Sequence, residues 1–559
     1  MDWAEHLVIV PILLPLITGA ALLLIDERRH ALKAAINVIS TIALALVAIA
    51  LLDFANTPTA TNGPATKVYL LANWPAPFGI VLVLDRLAAL MLVLTSMLAI
   101  AAIVYSLARW HRSGPHFHTL FQLLLMGVNG AFLTGDLFNL FVFFEVMLAS
   151  SYGLMLHGSG QARVKAGLHY IVVNLAASSL FLIGVAMIYG VTGTLNMADL
   201  ALRIPGVPAS DRMLLDAGAG ILGIAFLVKA GMWPLGFWLP TAYNAAAAPV
   251  AAIFAILSKV GVYVLLRLSP LLFGVEAGAS SGFGDSWLLV GGMVTIAFGA
   301  IGVMASQAKG RLAGYYILVS SGTMLAAIGI ANVSATAGAL YYMVSSTLAI
   351  SAFFLLIELI DRVQDPSAGV LAITLDAYGE DLEEEEAEEE IGVAIPSTLA
   401  ILGISFAACG LLLAGLPPLS GFVGKFAILT ALLNPDGLTE GGSLSPAIWT
   451  FVALLVISGL AAMISLTRAG IQAFWAPIEG IVPRVLLMEI APIAFLLSLC
   501  VGLTIFGGPV MRYMDQTAQS LHAPHSYIRD VMSAPRVEAP APEATAPEAP
   551  ATKTPEVAP

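Results

Sequence analysis

The chain has 559 residues, 59% of them apolar and only 11% charged, with a mean hydropathy of +0.92. A water-soluble enzyme or binding module of this length needs far more polar side chains to cover its surface, so those classes are excluded. The net charge of −12 does not point to a basic partner, because ten acids fall in one run from Asp376 to Glu390 and the remainder is close to neutral.

A spanning helix needs roughly 20 mostly apolar residues, and such stretches recur along nearly the whole chain. The first, 6–25, lacks the basic start and small-residue cleavage site of a removed leader and reads as a spanning helix. Helices are expected next at 33–52, 79–105, 118–134, 138–157, 167–191, 215–238 and 247–268. The series continues at 287–305, 312–331, 337–360, 396–431, 447–467 and 487–507. The expected fold is thus an all-α integral membrane protein of about 14 transmembrane helices.

The loops between these helices alternate in charge. One set carries Arg28, Arg29, Lys33, Arg109, Arg112, Arg163, Lys165, Lys309, Arg311, Arg362, Arg468 and Arg484. The opposite set carries Lys67, Arg203, Arg212 and Arg267. Excess positive charge marks the cytoplasmic face, which puts both termini in the periplasm of a bacterial inner membrane. The acidic run, within a loop at 361–391, is then cytoplasmic and reads as a solvated surface. The segment 511–559, which ends Pro/Ala-rich, reads as a disordered periplasmic tail.

Cys409 and Cys500 each sit in an apolar stretch and read as small buried hydrophobes. No CxxC, HExxH, histidine cluster or Gly-rich phosphate loop occurs, so no metal, cofactor or catalytic residue is expected, and nothing basic and aromatic suggests nucleic acid.

Two segments repeat at a distance. The seventh helix contains Ala-Gly-Met-Trp-Pro-Leu-Gly-Phe (230–237) and the twelfth Ala-Gly-Leu-Pro-Pro-Leu-Ser-Gly-Phe (414–422). The helices before them match as well, from His169 and from Tyr341. Helices six and seven therefore resemble eleven and twelve, five spans later, and an odd offset makes the two units inverted in the membrane. Pro234 in one unit and Pro417 and Pro418 in the other break the helix at the matching place. Inverted repeats with Gly/Pro-broken helices mark the transport site of secondary transporters.

Charge inside the bilayer costs at least a few kcal/mol and must be paired or hydrated. Four basic residues are expected within helices: Arg86, Lys229, Lys259 and Lys425. Arg86 follows Asp85 near a helix end, and the two are expected to neutralise each other. Lys229 lies five residues before Pro234, Lys259 in the middle of the eighth helix, and Lys425 just after the second break. Glu145 lies deep in the fifth helix and needs a counter-ion from another helix. Burial lowers a lysine's proton affinity and a nearby carboxylate restores it, so such a row suits a switchable proton relay. Further candidates for the path are Asp136 in a short turn, His169 near a helix end and Glu358 beside Asp361 and Arg362.

At these residues the chain resembles the antiporter-like membrane subunits shared by respiratory complex I, membrane-bound hydrogenases and Mrp-type multisubunit cation/proton antiporters. The resemblance covers roughly residues 5–510. It rests on Phe-Phe-Glu-Val-Met (143–147), Leu-Val-Lys-Ala-Gly-Met-Trp-Pro-Leu (227–235) and Pro-Thr-Ala-Tyr-Asn-Ala-Ala-Ala-Ala-Pro-Val (240–250). Ile-Leu-Ser-Lys-Val-Gly (256–261) and Gly-Leu-Pro-Pro-Leu-Ser-Gly-Phe-Val-Gly-Lys-Phe (415–426) complete it. The whole chain is most similar to the Mrp-type branch.

The family implies N-terminal helices within 1–115, a first five-helix unit within 116–270 and an inverted second unit within 285–470, with a last helix in 485–510. It also implies that Glu145 pairs with Lys229 and controls its proton affinity, that Lys259 is the central relay, and that Lys425 is the terminal site near the exit. Many relatives carry an ionisable residue in helix eleven, where this chain has Ser345 and Ser346. Hydroxyls hold water but store no proton at neutral pH, so the crossing from Lys259 to Lys425 needs another explanation.

The expected function is a non-enzymatic subunit of a sodium/proton antiporter driven by the proton-motive force. The resemblance supplies the sodium and implies partners: other hydrophobic subunits, including a second large antiporter-like one. The alternative is a proton-pumping membrane subunit of a complex I or hydrogenase-type oxidoreductase, whose redox chemistry would belong to partners.

Overall fold

The computed structural model describes residues 6–57, 66–364, 396–434, 445–474 and 485–535. The acidic run 379–390, Arg484 and the Pro/Ala-rich stretch 536–559 lie outside the described residues. The spans form α1 (Val10–Leu23), α2 (His30–Asn56), α3 (Arg86–Ser106), α4 (Phe117–Leu133), α5 (Leu137–Met155) and α6 (Gln161–Thr192). A split seventh span follows, α7a (Ala209–Ala230) and α7b (Leu239–Ala245), then α8 (Ala248–Phe273), α9 (Asp285–Ala305), α10 (Lys309–Ile330) and α11 (Val333–Gln364). The twelfth is again split, α12a (Pro396–Ala414) and α12b (Ser420–Leu433), before α13 (Pro446–Phe474) and α14 (Leu487–Ile505). Eleven of the helices are long and apolar enough to cross a bilayer, and the shorter α1, α4 and α12a–α12b bring the spans among the described residues to fourteen.

The expected helix at 79–105 begins later. Val81–Leu84 forms strand β2, antiparallel to β1 (Lys67–Leu70), with Lys67 opposite Leu84. Its four aliphatic residues are all buried, and Asp85 then caps α3 by accepting a hydrogen bond from the Ala88 amide at 2.9 Å. A residue that caps a helix has extended backbone, so the helix cannot run back through it.

α8 is enclosed along its whole apolar length, and α10 and α11 nearly so, whereas α2, α6, α13 and α14 leave apolar side chains such as Ile39, Leu175, Leu460 and Val501 exposed, as lipid-facing helices do. The two repeats share their breaks in detail. α6 and α11 are both 32 residues long and each precedes a split helix. α7a ends at Gly231 with φ +80°, and α12a ends at Gly415 with φ +76°. Only glycine adopts this left-handed conformation at no steric cost, so the two Ala-Gly pairs of the sequence are a pair of matched helix stops.

The expected disordered tail at 511–559 is corrected over its first part. Residues from Gly507 fold as α15 (Gly507–His522) and α16 (His525–Met532). Met514, Thr517, Ala518 and Leu521 repeat at helical spacing and are buried, while Arg512, Gln516 and Gln519 face outward; this amphipathic pattern is too weak in average hydropathy to read as a span. The hairpin packs over the ends of α8 and α11 on the face opposite the basic loops, where the Tyr513 hydroxyl donates to the Arg86 carbonyl at 2.8 Å.

On the basic-loop face, α1, α2 and α4 share a buried polar seam. Thr18 meets Ser40 at 2.9 Å, Gln122 donates to Asn37 at 2.6 Å, and Asn37 meets His118 Nδ1 at 2.9 Å. His111, in the turn between α3 and α4, lies with its ring centroid 5.5 Å from that of His118. Burial pushes the His111 imidazole down to about 4, helped by the charges of Arg112 and His30. A depressed histidine contributes stability that is whole above its ordinary value of 6.5 and is lost as the pH falls through about 4. The purified protein is therefore expected to lose thermal stability as the pH drops from 6.5 toward 4, and His111→Gln to lose less over that window. A melting-temperature series at stepped pH, variant against parent, checks this; identical slopes would show that His111 does not carry the effect.

Candidate functional site

The three buried lysines lie beside the two helix breaks and on α8 between them, and Glu145 lies on α5 against α6. Lys229 sits in the last turn of α7a, at the carbonyl end of that half-helix, where a cation is favoured. Its ammonium donates to Asn174 Oδ1 on α6 at 3.2 Å and lies 5.9 Å from the Tyr170 ring centre. Glu145, on α5, accepts a hydrogen bond from Ser178, one turn along α6 from Asn174. Among the described residues no ion pair joins Glu145 to Lys229 directly. Neighbouring turns of α6 hold the two groups, Asn174 the ammonium and Ser178 the carboxylate.

α7a and α8 touch next to both lysines. A Cβ on Gly261 would come within 2.7 Å of the Ala230 nitrogen and 3.1 Å of the Lys229 Cβ. Glycine at this point is what lets the backbone bearing Lys229 lie against the one bearing Lys259. Lys259 is fully buried and donates to Ser320 at 2.9 Å and Ser321 at 3.3 Å, both on α10. Ser320 in turn meets Ser346 on α11 at 2.8 Å.

The serines of α11 thus receive a place. Adjacent helical residues point about 100° apart, so Ser346 faces α10 while Ser345 faces α12b, where it meets Ser420 at 2.8 Å. Ser420 opens α12b, and Lys425 follows on the same helix five residues later. The Lys425 ammonium donates to the Ala414 carbonyl, the last of α12a, at 2.9 Å. A Cβ on Gly415 would lie 2.6 Å from Lys425 Cδ, so that glycine both ends the half-helix and leaves room for the lysine stem. Pro234 and Pro417–Pro418 fall in the non-helical stretches beside these two ammonium groups.

The other sequence candidates are placed differently. Asp136 caps α5, accepting from the Phe138 and Asn139 amides at 2.8 and 3.0 Å; burial raises its carboxyl above the usual range while those amides oppose it. His169 is exposed on the outside of α6, bonded to the Lys165 carbonyl, away from the lysine row. Glu358 belongs to a buried ionic cluster on the basic-loop face. It accepts from Trp110 Nε1 at 2.9 Å and pairs with Arg362 at 2.7 Å, and Arg362 also grips Glu489 of α14 at 2.6 Å. Glu489 is fully buried and had no mark in the sequence beyond being an acid in the first turn of an apolar helix.

The expected Asp85–Arg86 pair does not form. Asp85 pairs with Arg267 at 2.8 Å, and Arg86 donates to Asn56. Arg267, assigned by sequence to a loop, is a buried residue of α8, on the same face as Lys259 eight residues before it.

Residues 134–439 match the family model described as NADH:quinone oxidoreductase/Mrp antiporter, transmembrane. The D-type subunit of a probable K+/H+ antiporter of Rhizobium meliloti is 61% identical over 96% of this chain and 99% of its own length. Its counterpart in a Na+/H+ antiporter of Alkalihalophilus pseudofirmus is 34% identical over 94% and 99%. A chain in the solved Mrp complex of a Dietzia species superposes with a TM-score of 0.79 at 25% identity, covering 95% of this chain and all of that one. With the family model spanning more than half the sequence and relatives matching nearly all of it, the chain belongs to the NADH:quinone oxidoreductase/Mrp antiporter membrane-subunit family.

Proposed function

We propose that this chain is the D-type subunit of a multisubunit monovalent cation/proton antiporter of the Mrp kind, a secondary transporter in a bacterial inner membrane with both termini outside. The observation that carries the reading is the buried row itself: Lys229 on Asn174, Lys259 on Ser320 and through it Ser346, then Ser345 on Ser420 ahead of Lys425. Ammonium groups joined by hydroxyls and the water they hold exchange protons without exposing a carboxylate mid-membrane. Glu145, one turn of α6 away from Lys229, sets that lysine's hold on its proton by approaching or withdrawing.

The relatives' names make each of them one subunit among others, and the family resemblance supplies the partners: further hydrophobic subunits, among them a second large antiporter-like chain. The exchanged ion is sodium or potassium, and the 61% identity to a relative named for potassium supports potassium. The test is exchange by the whole assembly in vesicles, read as collapse of an imposed pH gradient on adding either cation. Lys229→Ala is expected to cut the rate roughly tenfold or more with assembly intact. Undiminished exchange by that variant would sink the relay. Stoichiometric copurification of flavin or iron–sulfur proteins would move the chain to the oxidoreductase alternative.

A further inference from the structure

Lys259, Tyr263 and Arg267 stand at i, i+4 and i+8 on α8 and so form one stripe running from the centre of the bundle toward the face opposite the basic loops. The stripe is about 12 Å long between its end Cα atoms. Tyr263 and Arg267 are buried. The Tyr263 hydroxyl donates to the Phe132 carbonyl at 2.6 Å and accepts from Arg267 Nε at 3.1 Å. Arg267 then pairs with Asp85 through its other nitrogen at 2.8 Å. Beyond this pair lies a cavity of about 20 Å³, enough for one water, lined in part by Asp85, Arg86, Arg267, Ser520 and Tyr527. Arg86 and Tyr527 each have a buried polar atom there without a protein partner. The α15–α16 hairpin closes over the stripe, with the Tyr527 ring 5.4 Å from the Arg267 guanidinium.

We infer that Arg267 and Asp85, covered by the C-terminal hairpin, form a seal that stops the proton on Lys259 from leaving along α8, so that it must go on to Lys425. The inference rests on the proposed relay. A guanidinium holds its charge at every working pH, so it repels a hydrated proton or metal cation arriving from either side. Asp85 makes that fixed charge tolerable at depth, since a buried charge needs a partner. Tyr263, the one hydroxyl of the stripe between the two cations, is held on both sides: its proton lies on a backbone carbonyl that cannot pass it on, and Arg267 donates to its oxygen. Solvent reaching the cavity therefore meets a closed door one turn short of the tyrosine.

The charged and titratable groups facing Arg267 are Asp85 from the start of α3, Tyr263 on α8 itself and Tyr527 from α16, with Arg86 across the cavity.

The test uses the assembled complex in vesicles containing only choline salts, where exchange is silent and a pH jump reads passive proton leak. Arg267→Gln removes the fixed charge and releases the Tyr263 hydroxyl, and is expected to raise the leak roughly tenfold or more. Adding Lys259→Met to that variant is expected to return the leak to the parent rate, because the route begins at Lys259. Tyr527→Ala, which removes cover from outside the bundle, is expected to raise the leak in the same direction and stands in if Arg267→Gln fails to assemble. Assembled variants as tight as the parent would overturn the seal, and so would a leak that persists without Lys259. Cation-dependent exchange is measured in the same vesicles with sodium or potassium added: its absence from the parent would remove the antiporter reading, whereas a leak with exchange retained bears on the seal alone.

Discussion

Replacing Lys259 with methionine is expected to reduce cation/proton exchange roughly 100-fold or more while leaving the chain assembled with its partners. Lys259 is fully buried at the centre of the bundle and bonds to the hydroxyls that lead on to α11. Methionine fills nearly the same volume in an apolar helix and removes a charge whose burial costs energy, so the fold keeps or gains stability. Activity and stability should therefore move apart. A Lys259→Met complex that melts no lower than the parent but exchanges at background rate is the expected result. Near-parental exchange by that complex would show that protons bypass the centre of α8.

The largest effect on stability is expected at Arg362, outside the lysine row. Arg362→Ala removes the cation shared by Glu358 and the fully buried Glu489, leaving Glu489 only the longer pair with Arg109 at 3.8 Å. Breaking a buried ionic cluster by removing one partner costs about 3–5 kcal/mol. The cluster ties α11 to α14 and, through Trp110, to the turn after α3, so its loss loosens three parts of the chain at the basic-loop face. The check is the yield and melting temperature of the assembled complex. Arg362→Lys should recover part of the loss, since lysine restores the charge but not the fork that holds two carboxylates. An unchanged melting temperature for Arg362→Ala would mean the acids are solvated in the assembly.

Most spans were legible because a membrane helix announces itself by length and apolarity, and both breaks because Gly and Pro interrupt that signal at matching places. What escaped is instructive. Val81–Leu84 is as apolar as a helix, and its strand pairing depends on Lys67–Leu70, which local pattern cannot show. Asp85 and Arg86 are neighbours in sequence, yet the partner of Asp85 is Arg267 on another helix. Arg267 looked like a loop residue because it lies at the edge of the apolar run that ends α8. The hairpin α15–α16 was missed because amphipathic helices average to neutrality.

At the path, the ionisable residues stood out by their cost, whereas Asn174 and Ser178, which hold Lys229 and Glu145, are neutral and carry no such flag. Ser345 and Ser346 could be named from sequence, but their divergent roles needed the positions of α10 and α12b.

The two outer lysines of the row are moored differently. Lys425 leans on a peptide carbonyl at the stop of α12a, and a peptide carbonyl neither gains nor loses charge as surroundings change. Lys229 instead donates to a side-chain amide, that of Asn174, on the helix whose next turn holds Glu145 through Ser178. A side-chain amide can turn away from its ammonium, so on the proposed relay the mooring at Lys229 is adjustable, whereas that at Lys425 is a fixed berth. In the proposed relay, control over throughput therefore belongs at the Lys229 end, and the Lys425 end simply empties.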